Sequence, residues 1–391
     1  MPAASRVQSI TRLDKRKQSI YDLVKNRKQR EVFQLTAKVY FLPLSDGLPI
    51  SEQAVAMNRI YAASGAEAVF AAKDFVAVKL HVGEKKNTTH IKPELIKLLV
   101  DRVKDKGGVP FLTETSTLYK GERENAVKHL LHAHCHGFGI DSVGAPFIMA
   151  DGLTGNTEYE VEIDGELHKS VKVAREIMSA DALIAVAHPT GHPAAGLGAC
   201  IKNLGMGLAS RMGKMRQHSA MLPEVLTDKC RFCGKCIKWC PRDAIVEKDG
   251  KAYIMTEKCI GCGECLAMCR FDAVSYDWGA ESGYMQRSMA EHAYGAIAGK
   301  KGKCFFFNVM IDMTKECDCF NVDQRKFIPD IGILASDDPV AIDKATLDLT
   351  AKAHGQSLAK MAYAKHDAMI QIEHAAKVGM GSLEYELIEV K

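Results

Sequence analysis

The sequence predicts an α/β fold in which a mainly parallel sheet is flanked by helices and a smaller α+β domain is inserted. Two observations lead to this prediction. Apolar strand-like segments alternate with helical segments both before residue 226 and after residue 278, which is typical of parallel sheets covered on both faces. Between those positions the composition changes, because eight of the thirteen cysteines lie there. We therefore expect a discontinuous host domain, residues 36–225 and 279–391, interrupted by residues 226–278.

The elements before the insertion follow from helix-stop and turn residues. Pro93 suits the first turn of a helix, whereas Gly65 and Gly137 suit the position just after one. Asp164-Gly165 favours a hairpin turn. In chain order we predict a helix at 51–64, a strand at 75–81, a helix at 92–106, a strand at 109–112, a helix at 122–136, a strand at 147–149, a hairpin at 158–168, a helix at 170–180 and a strand at 182–187.

The same alternation resumes after the insertion. Asp337 is predicted to be the N-cap of a helix that has Pro339 in its first turn. In chain order we predict a helix at 282–298, strands at 304–313 and 331–334, helices at 338–353 and 356–378, and a strand-like tail at 384–390.

The first 35 residues form a basic N-terminal arm. Its charged side chains are Arg6, Arg12, Lys15, Arg16, Lys17, Lys25, Arg27, Lys28 and Arg30 against Asp14, Asp22 and Glu31. Such a segment is either a solvated arm packed on its own domain or on a partner, or an arm that docks on a polyanion.

Overall composition excludes several functional classes. A net charge of +4 spread over 391 residues does not predict nucleic-acid binding. No apolar run approaches the 18 or so residues that a membrane span needs, and no apolar signal core follows the start of the chain. The cysteines are grouped as metal ligands instead of disulfide partners, which predicts a cytoplasmic protein of an anaerobe.

The cysteines of the insertion form two runs of the same design. The first run is Cys230-x-x-Cys233-x-x-Cys236-x-x-x-Cys240, and the second is Cys259-x-x-Cys262-x-x-Cys265-x-x-x-Cys269. In this spacing, three thiolates of one run hold one [4Fe–4S] cluster and the fourth crosses to the other cluster. We therefore assign Cys230, Cys233, Cys236 and Cys269 to the first cluster and Cys259, Cys262, Cys265 and Cys240 to the second.

The competing interpretation of these runs is zinc. Zinc ribbons use two Cys-x-x-Cys pairs set well apart, not repeated triplets followed by a fourth cysteine. Gly234, Gly261 and Gly263 remove side chains near the sulfurs, so that backbone N–H groups can approach them. The second run has Arg270 where the first has Pro241, which removes no ligand. The segment resembles the two-cluster bacterial ferredoxins along its whole length.

A glycine-rich stretch with two histidines and a lysine follows the strand at 182–187. A glycine loop that leads into a helix offers free N–H groups and a positive dipole end to an anion. The residues that we expect to bind an anionic substrate or cofactor here are His188, His192, Gly196, Gly198, Lys202 and Asn203. The alternative is a tight crossover that needs glycine for packing. Neither a P-loop nor a dinucleotide-binding spacing fits the stretch.

Two neighbouring strands end in polar side chains. Lys79 and His81 end the strand at 75–81, and Glu114 follows the strand at 109–112. If these strands and the strand at 182–187 are parallel, their carboxyl ends meet in one crevice. The predicted catalytic set is therefore Lys79, Glu114, His188, His192 and Lys202. Taken singly, each of these residues could equally be a surface polar side chain.

Two further groups are candidate metal ligands. His132 and His136 lie one helical turn apart in a His132-Ala-His134-Cys135-His136 run, although cationic side chains at a helix end explain them equally well. Cys317-Asp-Cys319 could chelate a metal or form a redox pair.

Three strings outside the insertion resemble the iron–sulfur members of the DUF362 family (domain of unknown function). They are Gly196–Gly207, the string Gly213-Lys-Met-Arg-Gln-His-Ser219, and Pro329–Asp343. The resemblance covers most of the chain from about residue 36 and implies an α/β host with clusters, but no settled reaction. A fainter similarity joins Val186–Lys202 to the glycine-rich histidine–lysine loop of lactate racemase, which implies a crevice for a cofactor or an anionic substrate.

The residues leave three hypotheses open. The first is an iron–sulfur redox protein that passes single electrons from a redox partner protein, through two [4Fe–4S] clusters, to a small anionic molecule bound in the host domain. The second is a non-catalytic electron-transfer or assembly subunit of a larger oxidoreductase. The third is a redox sensor that signals by losing its clusters.

Overall fold

The computed structural model describes residues 36–218, 222–275 and 282–391. The N-terminal arm, residues 1–35, lies outside the described residues. The centre of the fold is an eight-stranded sheet in the order β16-β1-β15-β14-β7-β2-β3-β4. The strands in chain order are β1 Ala37–Pro43, β2 Phe75–Lys79, β3 Val109–Glu114, β4 Phe147–Met149, β5 Glu158–Glu162, β6 Ser170–Ala174, β7 Ala182–Ala187, β8 Thr190–His192, β9 Gly196–Gly198, β10 Glu224–Val225, β11 Ile245–Lys248, β12 Lys251–Ile254, β13 Val274–Ser275, β14 Cys304–Met310, β15 Gly332–Ser336 and β16 Tyr385–Glu389.

The sheet is mainly parallel, as the sequence predicts. β4, β3, β2, β7 and β14 run in the same direction, and β1 runs parallel to β16. Only β15 is antiparallel to both of its neighbours. Lys79 is in register with Thr113 of β3 and with Ala185 of β7, so the carboxyl ends of these three strands lie at one edge.

Helices cover both faces of the sheet. The helices in chain order are α1 Ile50–Ser64, α2 Pro93–Asp105, α3 Ala126–Cys135, α4 Ile140–Val143, α5 Arg175–Ser179, α6 Cys200–Gly205, α7 Arg211–His218, α8 Lys235–Lys238, α9 Glu264–Met268, α10 Ser282–Ile297, α11 Pro339–His354, α12 Leu358–Ala362 and α13 Met369–Lys377. Alternation along β14 explains the two layers, because Phe306 packs with α10 and α11, whereas Phe305 and Phe307 pack with α1 and α2. None of these helices is long and apolar enough to cross a membrane.

The structure corrects three predicted elements. The helix at 170–180 is a strand over its first half, because Ser170–Ala174 alternates between buried and half-buried residues and pairs with β5. The helix at 356–378 is two helices, α12 and α13. The N-cap of α11 is Asp338, not Asp337, since the Asp338 carboxylate accepts from the N–H groups of Val340 and Ala341 at 2.9 Å.

The inserted segment forms a small α+β unit. Its two sheets pair β10 with β13 and β11 with β12, and its two short helices are α8 and α9. The helices that enclose it in the chain, α7 and α10, belong to the host and pack against each other. The unit contacts the host through α9, where Leu266 packs on Leu118 and Met215.

Candidate functional site

Two cavities in the inserted unit are lined by cysteines of both runs. One cavity, of about 360 Å³ with its mouth, is lined by Cys230, Cys233, Cys236 and Cys269. The other, of about 330 Å³, is lined by Cys259, Cys262, Cys265 and Cys240. In each set, three cysteines come from one run and the fourth from the other. Four thiols around one cavity are the donor set that a [4Fe–4S] cluster uses.

The backbone around the sulfurs repeats between the two halves. Ala244 N–H donates to Cys240 Sγ at 3.3 Å, and Ala273 N–H donates to Cys269 Sγ at 3.3 Å. Gly234 and Gly263 precede α8 and α9 with φ of 72° and 74°, a backbone conformation that side chains with a Cβ rarely adopt. N–H groups that point at sulfur are the kind of contact that supports the thiolate ligands of a metal cluster.

A much larger cavity lies within the host domain, and one of its lining residues, Leu118, also packs on Leu266 of the inserted unit. It encloses about 1640 Å³, part of which is open to solvent. The carboxyl ends of β2 and β3 supply Lys79 and Glu114, and α6 supplies Lys202 and Asn203. His192 also lines it. The crevice expected at the strand ends therefore exists and contains four of the five predicted catalytic residues.

The lining of this cavity is cationic. Its two carboxylates, Glu84 and Glu114, face a larger set of positive groups, which are Lys79, Lys120, Arg123, Lys202 and Lys214. Imidazoles of His81, His192 and His218 and apolar side chains of Leu118, Met206, Met285, Met289 and Phe320 complete the wall. A cavity with this excess of positive charge favours an anionic ligand.

Glu114 is a buried carboxylate that forms ion pairs with several of the positively charged groups. Its carboxylate lies 3.3 Å from Lys79 Nζ and 3.2 Å from His129 Nε2. Burial raises the pKa of Glu114, but Lys79, His81, His129 and Arg123 together bring it well below its usual range. Lys79 Nζ also donates to Asn203 Oδ1 at 2.7 Å. The ionised carboxylate thus fixes the Lys79 ammonium at the base of the cavity.

Arg123, Lys214 and His218 are cavity residues that the sequence reasoning missed. Lys214 and His218 lie one turn apart on α7, so they share a face, and this spacing is a signal that could have found them. Lys214 Nζ donates to the carbonyl oxygens of Ser116 at 2.8 Å and Ala209 at 2.9 Å. Burial lowers the pKa of the Lys214 ammonium to about 7.

Anion binding in this cavity is expected to weaken as pH rises through about 7. Lys214 is charged below that pH and neutral above it, because its pKa lies there. Titration calorimetry with pyrophosphate between about pH 6 and pH 8 would measure the change. The Lys214→Arg variant stays charged, so its binding should not show this fall. The same fall in Lys214→Arg would contradict the assignment to Lys214.

His188 lies outside the cavity lining, unlike the other predicted catalytic residues. Its Nδ1 is 2.8 Å from Asp318 Oδ2 and its Nε2 is 2.8 Å from the Ile311 carbonyl oxygen. Burial lowers the pKa of His188, but Asp318 more than offsets this and raises it overall. Both ring nitrogens are therefore engaged, and His188 orients Asp318 instead of facing a ligand.

The helix N–H groups that were expected to bind an anion after the glycine-rich stretch bind a carboxylate of this protein instead. The first N–H groups of α6, those of Cys200 and Ile201, both donate to the Asp343 carboxylate at 2.8 Å. Gly196 and Gly198 form the β8–β9 hairpin and do not line the large cavity. The prediction that these glycines bind a cofactor is thus not supported, whereas Lys202 and Asn203 do reach the cavity.

Cys317 and Cys319 lie beside the cavity, next to Lys202. One ring nitrogen of His192 and the two sulfurs lie within 4.8 Å of one another. Lys202 Nζ donates to Cys317 Sγ at 3.3 Å. Burial lowers the pKa of Lys202, but the two cysteines raise it overall. The Cys-x-Cys pair noted in the sequence thus meets Lys202 of the glycine-rich stretch.

His132 of α3 and His136, which directly follows α3, contact backbone carbonyl oxygens. His132 Nε2 is 2.9 Å from the Gly83 carbonyl oxygen, and His136 Nδ1 is 2.8 Å from that of Val82. His136 also stacks on His90, with ring centroids 4.8 Å apart. These contacts favour a structural role in fixing the loop after β2 over metal binding.

Consecutive residues connect the inserted unit to the cavity. Lys120 Nζ donates to the Cys269 carbonyl oxygen at 3.3 Å, and the Tyr119 hydroxyl donates to the Cys319 carbonyl oxygen at 2.9 Å. Asn156 Nδ2 donates to the Glu264 carboxylate at 2.9 Å. One short segment thus touches a cysteine of the inserted unit and a cysteine of the cavity wall.

Comparison with known proteins gives one family. The profile described as "Domain of unknown function (DUF362)" matches residues 76–348. No protein with a curated description matches the chain.

Two solved structures are distantly similar. The lactate racemase apoprotein from Thermoanaerobacterium thermosaccharolyticum aligns over 71% of this chain and 51% of its own, with 11% identity and a TM-score of 0.36. A Thermotoga maritima protein from the Northeast Structural Genomics Consortium aligns over 85% and 60%, with 11% identity and a TM-score of 0.38. The chain thus spans only about half to three fifths of their lengths, and similarity this low says nothing about function.

Proposed function

The chain belongs to the family described as domain of unknown function, DUF362, and we propose that it is an iron–sulfur redox protein. In this proposal, single electrons pass through two [4Fe–4S] clusters to an anionic molecule in the cationic cavity. The observation that carries it is the crossed arrangement of cysteines. Two cavities each gather four sulfurs, three from one run and one from the other.

The cysteines and their surroundings have separate tasks in this proposal. Two bound [4Fe–4S] clusters supply one-electron chemistry that no side chain can perform. Cys265 is buried and belongs to α9, whereas Cys233 is exposed. Electrons can therefore enter at the solvent side near Cys233 and leave on the side of α9, which packs on the host through Leu266.

The cavity residues bind and orient the anion. Arg123 and Lys202 supply positive charge to the cavity wall, and Lys79, whose pKa is lowered by burial, is paired there with Glu114. Burial lowers the pKa of His192 well below its usual range, and Lys202 adds to this effect, so the ring is neutral. Its Nδ1 accepts from the N–H groups of Ala194 and Ala195, which places the ring proton on Nε2. His192 can thus donate a hydrogen bond to an oxyanion, and Lys214, with a pKa of about 7, can deliver a proton.

Replacing Lys202 by Ala tests the cavity without touching the cysteine runs. We expect pyrophosphate and citrate, as phosphate and carboxylate probes, to bind at least about 10-fold more weakly in calorimetry, because a cation of the cavity wall is lost. Iron should stay at about eight atoms per chain. The control is Lys85→Ala, whose side chain is 69% exposed. Unchanged binding in Lys202→Ala would remove the cavity from the proposal.

A non-catalytic electron-transfer subunit is the second candidate, favoured by the surface around Cys233. Trp239 is 51% exposed there. Exposed cationic side chains lie close to Cys233 and Trp239 in the sequence, at Lys229, Arg231, Lys238 and Arg242. An exposed aromatic residue on a segment rich in positive charge suits an acidic redox partner. Affinity purification from an anaerobic extract separates the two candidates, since a stoichiometric oxidoreductase partner together with a cavity that binds no anion would favour the subunit.

A further inference from the structure

We propose that Cys317 and Cys319, with Lys202 as counter-ion, form a redox-active dithiol that exchanges with an anionic disulfide bound in the large cavity. This inference names a substrate class for the cavity. It rests on the proposed function only for the electrons that restore the dithiol.

The two sulfurs are arranged as an attacking thiol and a resolving thiol. Cys317 Sγ accepts from Lys202 Nζ at 3.3 Å and from the Cys319 N–H at 3.4 Å. Cys319 lines the cavity, whereas Cys317 is 5% exposed and lies next to the lining, with its Sγ within 4.8 Å of the Cys319 sulfur. A dithiol reacts when one sulfur is held as thiolate by a nearby cation and a second thiol lies close by.

The pKa values agree with this geometry. The hydrogen bond from Cys319 and the charge of Lys202 outweigh burial and lower the pKa of Cys317 to about 6. The same hydrogen bond, together with burial, raises the pKa of Cys319 well above its usual range. At neutral pH, Cys317 is then the thiolate and Cys319 the thiol.

A metal ion held by His192 and the two cysteines is disfavoured by the hydrogen bonds. His192 Nδ1 accepts from the N–H groups of Ala194 at 3.2 Å and Ala195 at 3.0 Å. The ring proton therefore lies on Nε2, which leaves that nitrogen no lone pair for a metal. Lys202 already supplies the positive charge that a thiolate needs.

The loop that carries the dithiol is fixed from several sides. Asp318, between the two cysteines, is bound by His188 Nδ1 at 2.8 Å and by Asn87 Nδ2 at 3.0 Å. The Asp318 carbonyl oxygen accepts from Glu84 N–H at 3.1 Å, and the Cys319 carbonyl oxygen accepts from the Tyr119 hydroxyl at 2.9 Å. His188 is thus a positioning residue, because it holds Asp318 and with it the loop that carries the dithiol.

The exchange balances as follows. Cys317 thiolate attacks one sulfur of the substrate disulfide, the S–S bond breaks, and one substrate thiolate leaves with the proton of Cys319. Cys319 thiolate then attacks Cys317 Sγ, which releases the second substrate thiolate and forms a Cys317–Cys319 disulfide. That disulfide accepts two electrons, one from each cluster, and one proton, which restores the Cys317 thiolate and the Cys319 thiol.

The position of the loop suits this electron supply. Tyr119 touches the Cys319 carbonyl, and its neighbour Lys120 touches the Cys269 carbonyl of the inserted unit. The positive charge of Lys79, Arg123 and Lys214 on the same cavity favours disulfides that carry carboxylates.

Peptide mass spectrometry tests the proposal, because both cysteines fall in one tryptic peptide, residues 316–325. The anaerobic full-length protein is treated with glutathione disulfide, an anionic probe, or with cystamine, a cationic one. We expect the peptide to lose both alkylatable thiols and about 2 Da, at least about 10-fold faster with glutathione disulfide. A low-potential one-electron donor should then restore the thiols in the protein with clusters, but not after the iron has been removed.

Variants of Lys202 and Cys135 sharpen this test. In Lys202→Gln the alkylation rate of Cys317 should rise only at a pH clearly above 6, whereas Lys202→Arg should keep the original profile. Cys135→Ser, on an exposed part of α3, should change nothing.

Three outcomes would overturn the exchange: a peptide that keeps both thiols, one zinc ion per chain that Cys317→Ser abolishes, and equal rates with the two disulfides. Equal re-reduction with and without iron would overturn the supply of electrons from the clusters. Iron and sulfide content, measured separately, decides the cluster proposal. A protein without iron that still forms the disulfide would refute the clusters but not the exchange.

Discussion

Replacing Cys240 by Ser is expected to lower iron from about eight to about four atoms per chain. The crossed arrangement adds a sharper expectation for double variants. Cys240 lines the same cavity as Cys259, so Cys240→Ser with Cys259→Ser should still hold about four iron atoms. Cys230 lines the other cavity, so Cys240→Ser with Cys230→Ser should lose nearly all iron. Iron analysis and electron paramagnetic resonance of the reduced protein provide the measurement.

The uncrossed arrangement predicts the opposite pairing. If Cys240 belonged with the other cysteines of its own run, the double variant with Cys230→Ser would keep half of the iron, and the one with Cys259→Ser would lose it all. Non-additive effects of residues that share one site make this comparison decisive. Cys135 is exposed and lines neither cavity, so the Cys135→Ser variant should hold the wild-type amount of iron.

The second large effect is expected in the host domain, at Asp343. This fully buried carboxylate accepts from two backbone N–H groups of α6 and from Asn308 Nδ2 at 2.8 Å. Asp343→Ala leaves these donors without a partner, which should lower the free energy of unfolding by about 3 to 5 kcal/mol. Urea denaturation of the anaerobic protein would measure this loss. The control Asp101→Ala removes an exposed i,i+4 ion pair and should cost about 0.5 kcal/mol or less.

Asp343 also gives stability a pH dependence with a defined sign. Burial raises the pKa of Asp343 to about 6 in the folded state, against 3.8 for the ordinary group. The folded state therefore binds a proton at Asp343 more tightly than the unfolded chain does. The contribution of Asp343 to the free energy of unfolding falls as pH rises from about 4 to about 6. Asp343→Ala should remove this component. A loss below about 1 kcal/mol in that variant would show that the α6 donors find other partners.

The parallel strands were predictable because their signals are local. The run from Cys230 to Cys240 is also a local signal, and its assignment to two clusters stays a prediction. The wholly apolar strand Ala182–Ala187 needed only its own composition. Lys79, at the end of β2, could be placed because parallel strands align their carboxyl ends.

The remaining features depend on pairs of residues far apart in the sequence. Nothing near Cys200 shows that a carboxylate at position 343 will occupy the start of α6. Similarly, Ser170–Ala174 becomes a strand only because β5 offers a partner, since short segments take the structure of their surroundings. His188 was expected to face a ligand because the position of Asp318 was unknown.

The place of the insertion bears on the order in which the nascent protein can assemble. β7 is made before the inserted unit and β14 after it, yet the two pair directly at the middle of the sheet. β1 pairs with β15 and β16, which are also synthesised after the inserted unit. The inserted unit can therefore fold while the host sheet still lacks three of its eight strands, so completion of the sheet follows that of the insertion.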